Sequence, residues 1–232
     1  MAKRKDPKDK VNVFTLLKDL VGKDLTRVSM PVYLNEPISM LQRSCEIFEH
    51  TSVLDNANAQ SDRFKRTAYC LGFLMMNLSQ AIGRNKKPFN PLLGETFEVF
   101  HNGLFCICEQ VSHHPPISAL YAENDNFKVW GSFQPQSKFT FTKMLVTPKS
   151  TIMIQLKSTN EKFLIPYLPN SSVHNLIRGD IYVWHFGKCE LLNLTTGDRA
   201  ELNLKGHPLF GSLDYTYKGA VYDDEGKENN IR

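Results

Sequence analysis

The second half of this sequence consists of short runs of β-branched and aromatic residues that alternate with turn residues. This spacing is typical of an all-β sheet or barrel. Turns such as His101-Asn102-Gly103 and Thr196-Gly197-Asp198 join successive runs. Because almost every link is short, neighbouring strands are predicted to pair antiparallel in a meander. The predicted strands are Thr96–Phe100, Leu104–Val111, Ile117–Ala122, Phe127–Phe133, Phe139–Val146, Thr151–Lys157, Phe163–Leu168, Ile181–Phe186, Lys188–Leu194, Arg199–Leu204 and Leu213–Tyr222.

A wide meander must either close on itself or cover its edges. Closing many strands leaves an interior that side chains alone do not fill, so a cavity is expected. The sequence shows neither βαβ alternation nor an internal repeat. The predicted fold class is therefore α+β but mainly β, with a helical N-terminal layer attached to a large antiparallel sheet.

The N-terminal part of the chain has helical periodicity instead. Val11 to Val21 reads as a short amphipathic helix, which is either docked on the core or a flap over a cavity. Pro31 and Pro37 bracket an extended connector, and a helix over Ile38–Glu49 is predicted to follow. A clearer helix is predicted from one apolar face made of Phe64, Ala68, Leu71, Met75, Leu78 and Ile82.

Charge and cysteine content restrict the class of protein. The net charge of +4 over 232 residues suits an anionic surface such as a cytosolic membrane leaflet, but it is too small to indicate nucleic-acid binding. The five cysteines have no framework spacing and are expected to be reduced thiols in the cytosol. Met1 to Lys10 does not resemble a signal peptide, and the longest apolar stretch, Ala68 to Ile82, is shorter than the roughly 20 residues of a spanning helix. Any membrane contact is expected to be peripheral.

The most unusual segment is EQVSHHPP, from Glu109 to Pro116. Two adjacent imidazoles, His113 and His114, come at the end of a predicted strand. The two prolines that follow are expected to hold the backbone extended, because proline cannot continue a ladder. Imidazoles at a sheet rim can donate hydrogen bonds to phosphate oxygens or ligate a metal. Two ordinary surface histidines without a binding role remain the alternative.

A second segment, KKPFNPLLGE from Lys86 to Glu95, places two lysines beside a rigid turn at the entry to the sheet. An ammonium group held next to prolines suits a phosphate, and Asn90 adds a neutral donor and acceptor. An ordinary exposed lysine pair remains the alternative.

A zinc site is the main competing interpretation. Cys106 and Cys108 lie two positions apart on a predicted strand, hence on one face, and close in sequence to His113 and His114. Zinc sites usually draw tight pairs from turns, however, and no second Cys or His pair of suitable spacing follows. No metal ligand and no cofactor are therefore assigned.

The sequence also lacks the common motifs of catalysis. It contains no Gly-x-Ser-x-Gly elbow, no Walker loop, no dinucleotide-binding glycine pattern and no His-Glu-x-x-His. We therefore predict that the protein is not an enzyme.

These segments resemble a known family. EQVSHHPP at 109–116 looks like the fingerprint of the oxysterol-binding-protein-related family, and KPFNPLLGE at 87–95 resembles its second conserved block. GKDLTRVSMPVYLNEPISMLQR at 22–43 is similar to the family's connector between lid and core. The resemblance extends over about residues 11 to 225 and is carried most specifically by the octapeptide.

The resemblance implies an incomplete antiparallel β-barrel around a hydrophobic tunnel, with an N-terminal helical lid. Members bind a sterol or another lipid in the tunnel, and many bind phosphatidylinositol 4-phosphate in an overlapping position and exchange the two between membranes. Carried onto this sequence, the resemblance places the head-group site at Lys87, Asn90, His113 and His114 with backbone amides near Leu25 and Val28, and the lid side chains Phe14 and Leu17 in the tunnel.

The same resemblance sets the expected organisation and setting. The protein is expected to be a cytosolic monomer that visits membranes such as endoplasmic-reticulum contact sites, with no nucleic-acid partner. Because the family's C-terminal part is not matched, a truncated lipid sensor or regulatory domain that does not transfer lipid is an alternative, and a zinc-binding protein is a weaker one. The expected parts are a basic tail at 1–10 and one ligand-binding domain at 11–232, divided into lid and connector (11–33), helical layer (34–85), sheet (86–222) and polar tail (223–232).

Overall fold

A computed structural model describes residues 32, 35–80, 83–84, 86–140, 143–175, 181–207 and 217–229. The predicted tail at 1–10 and the predicted lid helix lie outside these residues. The described part of the chain has a helical layer on one side of a large antiparallel sheet. The predicted fold class, mainly β with a helical layer, is confirmed.

The helical layer contains α1 (Met40–Cys45), a 3₁₀ turn (Glu46–His50), α2 (Ser52–Ala59) and α3 (Arg63–Ser79). The single predicted helix over Ile38–Glu49 is wrong in its bounds. Ser39 and Gln42 form a capping box, in which each side chain accepts from the other's backbone N–H, so α1 begins at Met40. The helix α2 was not predicted, because it is only 8 residues long and buries only Leu54 and Ala57.

The predicted second helix is confirmed as α3. Its start is fixed by Asp62, whose carboxylate accepts from the backbone N–H groups of Phe64 and Lys65. The predicted apolar face packs on the hydrophobic core, apart from Ile82, which lies outside the described residues. This face holds α3 against the sheet strands.

The sheet is a meander whose short outer strands flank long central ones. Its order is β13-β12-β11-β10-β8-β7-β6-β5-β4-β3, and a further strand, β9, pairs with both β10 and β7. A separate parallel pair is formed by β1 and β2. The strands are β1 (Asn35–Ser39), β2 (Lys87–Phe89), β3 (Thr96–His101), β4 (Leu104–His113), β5 (Pro116–Glu123), β6 (Phe127–Phe139), β7 (Lys143–Leu156), β8 (Lys162–Ile165), β9 (Asn170–His174), β10 (Tyr182–Asn193), β11 (Arg199–Leu204), β12 (Tyr217–Tyr222) and β13 (Glu228–Asn229).

Three predicted strand breaks, at 134–138, 147–150 and 187, are absent, and the predicted strand Phe139–Val146 is wrong because Phe139 ends β6 and β7 begins at Lys143. Pro135 in β6 lies directly opposite Pro148 in β7, and a non-hydrogen-bonded pair needs neither N–H, so these prolines do not interrupt the long hairpin. Gly187, with a φ of 101°, continues β10 where two strands were predicted. Before this glycine β10 pairs with β9, and from it onward β10 pairs with β11, so the glycine marks a change of partner.

The sheet does not close. Within the described residues its edge strands are β3 and β13, which do not pair with each other, so it forms the incomplete barrel that the family resemblance implied. The predicted polar tail contributes β13, a short strand that pairs with β12. The hydrophobic core lies between the helical layer and the inner face of the sheet.

A buried ion pair fastens α3 to the sheet. Arg66 donates to both carboxylate oxygens of Glu161, which precedes β8, and also to the backbone carbonyls of Gln60 and Ser61. Asn193 donates a further hydrogen bond to Glu161. Burial raises the pKa of Glu161, but the hydrogen bonds from Arg66, Thr159 and Asn193 outweigh it and hold that pKa below the ordinary value. The charge of Glu161 therefore depends on this network.

Candidate functional site

The histidine pair lies at a hairpin on the sheet rim. His113 is the last residue of β4, and Pro116 begins β5 directly opposite it, so only His114 and Pro115 form the turn. The prediction of extended backbone after the histidines is correct from Pro116 onward, but the prediction that the ladder cannot continue is wrong, because Pro116 pairs with His113 across a tight hairpin. The two imidazole rings have their centroids 4.7 Å apart at an angle of 59°. Two ring edges are thus presented together.

The KPFNPLLGE block folds onto the same end of β4. The backbone N–H of Gly94 donates to the Gln110 carbonyl (2.9 Å), and the N–H of Gln110 donates to the Glu95 carbonyl (3.0 Å). The Glu95 carboxylate accepts from the N–H of Leu92. His113 Nδ1 lies 3.1 Å from the carbonyl oxygen of Pro91. The two sequence blocks therefore form one rim.

Lys87, the first residue of β2, contributes a positively charged ammonium group to this rim. Its side chain is half-buried and has no hydrogen-bond or ion-pair partner within the described part of the chain. Burial lowers the pKa of its ammonium group. A partly desolvated ammonium without a counter-ion is a favourable place for an anionic ligand.

A small cavity of ≈ 30 Å³ connects the predicted residues Lys87 and Asn90 with two that sequence reasoning missed, Gln110 and Ser118. Gln110 is 1% exposed, accepts from the Ser118 hydroxyl at 2.6 Å and donates to the Ser112 carbonyl at 2.8 Å. A cavity of this size holds one or two water molecules or an oxygen of a ligand. The signal for Gln110 was its place in EQVSHHPP, on the inward-facing phase of β4.

The structure thus brings Lys87 and Asn90 to one cavity and anchors His113 to the same loop, with His114 exposed beside it. The predicted backbone sites near Leu25 and Val28 and the predicted lid side chains Phe14 and Leu17 lie outside the described residues.

A larger cavity of ≈ 230 Å³ separates the helical layer from the inner face of the sheet. Met40 lines both this cavity and the small one, so the two adjoin. Small-molecule pockets commonly measure about 300–1,000 Å³, so a whole lipid needs the wall side chains to move apart. The wall of this larger cavity is mainly apolar and includes Phe73 and Leu74 from α3 and Leu120, Phe133 and Ile152 from the sheet.

Polar groups interrupt this apolar wall on the side of α3, β9 and β10. Nε2 of His185 donates to the Leu78 carbonyl (3.0 Å), so Nδ1 of the neutral ring accepts from the Ser171 hydroxyl (2.8 Å). Burial lowers the pKa of His185, so the ring is held neutral. Asn77 also lines the cavity and donates to the Phe73 carbonyl at 2.8 Å. Periodicity alone could not single out these residues, because three separate elements supply them.

The residues of the competing zinc interpretation are not brought together. Cys106 and Cys108 do face the same side of β4, as predicted, and both are buried. Among the described residues their sulfur atoms cluster with Cys45, and neither His113 nor His114 belongs to that cluster. The four-residue zinc site is therefore not formed.

These features define an open antiparallel β-barrel covered by helices, with an internal apolar cavity beside a cationic rim. Within the described residues, no helix is both long and apolar enough to cross a membrane. The chain belongs to the oxysterol-binding protein family, since the family model described as "Oxysterol-binding protein" matches residues 12–231.

Relatives and solved structures agree with this assignment. The chain is 38% identical over 221 residues to oxysterol-binding protein-related protein 1 of Homo sapiens, covering 94% of this chain and 23% of that protein. It matches the crystal structure of the Osh1 ORD domain in complex with ergosterol with a TM-score of 0.88 and 33% identity, covering 97% of this chain and 54% of the other. The Osh3 ORD of Saccharomyces cerevisiae in complex with PI(4)P gives a TM-score of 0.78 and 26% identity, over 94% and 64% of the two chains. The chain therefore spans about half of the Osh1 domain and a quarter of the human relative.

Proposed function

We propose that this chain binds one lipid molecule at a time, a sterol or phosphatidylinositol 4-phosphate, and carries it between membranes by exchange in a single cavity. The observation that carries this proposal is that the apolar cavity adjoins the cationic rim through Met40. An amphipathic ligand needs both environments within one molecular length. Relatives of the same fold were solved with ergosterol and with PI(4)P, which supports both ligand classes.

In this proposal the rim holds the phosphorylated head group. Lys87 supplies the charge, and a phosphate that pairs with it restores the solvation that burial has removed from its ammonium group. His113 directs its Nε2 to the ligand, since its Nδ1 donates to the Pro91 carbonyl, and Nε2 donates to the phosphate when the ring is an imidazolium with a proton on both nitrogens. His114 and Asn90 add further polar contacts, and backbone N–H groups near Leu25 and Val28 complete the site.

The apolar part of the ligand occupies the larger cavity. Each buried methylene contributes about 0.8 kcal/mol relative to water, so an enclosed apolar cavity competes with a bilayer for a sterol or an acyl chain. We assign Phe14 and Leu17 to a lid over this space, and such a lid excludes water when it closes and lets lipid pass when it opens at a membrane. Because both ligands need the same space, binding of one displaces the other.

The proposed function involves no catalytic step and no cofactor. The chain acts as a cytosolic monomer that contacts anionic membranes transiently, including membranes at endoplasmic-reticulum contact sites. A surplus of four positive charges favours such contacts without holding the protein there.

Lipid extraction from vesicles tests the proposal. Purified chain is incubated with phosphatidylcholine vesicles that contain a fluorescent sterol or phosphatidylinositol 4-phosphate, and lipid that remains with the protein after flotation is quantified. We expect up to one lipid per chain and mutual competition between the two lipids. If the wild-type chain extracts neither lipid, the proposal is wrong.

Two variants and a transfer assay sharpen this test. Val146→Trp fills the larger cavity and is expected to abolish extraction of both lipids, whereas Val111→Trp, on an exposed position of β4, is expected to leave it unchanged. Transfer from donor to acceptor vesicles should accelerate when the second lipid is supplied in the acceptor. Extraction without transfer would instead support the lipid-sensor alternative.

A further inference from the structure

Three cysteine side chains from separate elements meet in the core. Cys106 and Cys108 face inward from β4, and Cys45 is the last residue of α1. The Cys45 sulfur lies 3.2 Å from that of Cys106 and 3.3 Å from that of Cys108, and all three lie within 4.8 Å of one another. None of the three lines either cavity described above. More than 60 residues of sequence separate Cys45 from the other two, so only the tertiary fold forms this cluster.

Among the described residues, sulfur is the kind of metal-ligating atom that this three-cysteine cluster offers. The three residues are 8%, 0% and 1% exposed and belong to the hydrophobic core. In the described ranges no histidine or carboxylate shares the cluster. The remaining cysteines, Cys70 and Cys189, are buried away from it. Thiolate sulfurs select soft cations, whereas hard cations need oxygen ligands.

We propose that Cys45, Cys106 and Cys108 together bind one thiophilic divalent cation of the zinc and cadmium class. On binding, the three thiols release three protons to solvent and form three metal–sulfur bonds, which leaves a net charge of −1. A monovalent cation such as Cu⁺ would leave −2 in the same apolar surroundings, and burying the second charge costs more.

The cation itself provides the charge that stabilises the three thiolates, because metal binding and thiol deprotonation are coupled.

The sulfur spacing is close to the spacing that a cation requires. Zinc–sulfur bonds of about 2.3 Å in a tetrahedral arrangement separate the sulfurs by about 3.8 Å. The two short contacts of 3.2 and 3.3 Å therefore need to widen by only about half an ångström. Because α1 also lines the large cavity through Met40 and Ser44, a bound cation would fix that part of the wall to β4.

Cadmium titration tests the site independently of lipid binding. The reduced full chain is unfolded in denaturant without oxygen and refolded with Cd²⁺ or Zn²⁺, because the buried cluster takes up metal most readily during folding. We expect one equivalent of Cd²⁺ per chain and an ultraviolet sulfur-to-cadmium charge-transfer band. Cys45→Ala is expected to weaken binding at least tenfold and to remove the band. Cys70→Ala, which deletes an equally buried thiol outside the cluster, is expected to keep both.

Equal Cd²⁺ binding by Cys45→Ala, or no stoichiometric binding by the wild-type chain, would overturn the proposal. X-ray absorption of the metal-loaded wild-type chain avoids dependence on any variant that fails to fold. Three sulfur neighbours are expected around the ion, and a first shell of only nitrogen and oxygen would contradict the site. Lipid extraction is measured separately, so failure of the metal site leaves the proposed function standing.

Discussion

The imidazole Nδ1 of His113 lies 3.1 Å from the backbone carbonyl oxygen of Pro91. A carbonyl oxygen only accepts hydrogen bonds, so Nδ1 carries a proton and Nε2 is the ring nitrogen left for a ligand. This contact also ties the loop after Lys87 to the end of β4.

Replacing both rim histidines should separate the two ligand classes. In the double variant His113→Ala with His114→Ala, we expect phosphatidylinositol 4-phosphate extraction to fall at least tenfold, because each lost charge-assisted hydrogen bond is worth about 1.5–3 kcal/mol. Sterol extraction should remain within a factor of about two, because a sterol has no phosphate for the imidazoles to hold. His101→Ala, at the exposed hairpin between β3 and β4, serves as the control. Undiminished phosphoinositide extraction by the double variant would refute the head-group assignment.

Lys87 should matter for the ligand and not for the fold. Lys87→Met removes a half-buried ammonium that has no partner among the described residues, so the free energy of unfolding should be unchanged or slightly higher. Phosphatidylinositol 4-phosphate binding should weaken about 10- to 100-fold. The neighbouring exposed Lys86→Met is the matched control, measured by the same vesicle assay and by thermal unfolding. Equal losses in the two variants would point to a general charge effect instead.

The Arg66–Glu161 pair should make stability sensitive to acid. Its network holds the folded-state pKa of Glu161 below the ordinary value of 4.5, so its contribution is complete above that pH and is lost as the pH falls through the folded-state pKa. Glu161→Gln should cost about 3 kcal/mol at neutral pH, because Arg66 stays buried without a counter-charge. Urea unfolding at several pH values should show a smaller loss below pH 4.5 for this variant than for the wild-type chain. The exposed Glu98→Gln should behave like the wild type in both respects.

Gly131 should be intolerant of any side chain. A Cβ atom there would overlap the carbonyl oxygen of Thr151 and lie 3.0 Å from the Cα of Ile152, both on the paired strand β7. Gly131→Ala should therefore lower the free energy of unfolding by about 1–3 kcal/mol. Gly206→Ala, with open space around the added carbon, should change it by less than about 1 kcal/mol. Thermal unfolding of the two variants side by side measures this, and equal stabilities would show that β6 and β7 can separate without cost.

Local patterns predicted most of the elements. Arg199–Leu204 was predicted with its observed bounds, and the helix that carries Leu71 was predicted from its apolar face. Helices and strands were missed where the periodic pattern of apolar residues is weak or the element is short. The strands β2 and β9 are only 3 and 5 residues long, too short to show a period against their polar neighbours.

The candidate site was predictable only in part. His113, His114, Lys87 and Asn90 were named from two sequence blocks, and the structure places them along one rim. Other members of the site come from positions with no motif. Examples are Ser118, which completes the small cavity, and His185, which lines the large one.

By itself the sequence determined the mainly β class, the helical layer and the two blocks of the rim, because alternation, periodicity and turn residues act between near neighbours in the chain. Only the tertiary structure decided that the sheet stays open within the described residues, that Met40 joins the two cavities, and that Cys45 meets Cys106 and Cys108. These relations depend on strand register and on how helices pack across the sheet. Both are fixed by the burial of the whole apolar face at once, and no short segment of sequence contains that information.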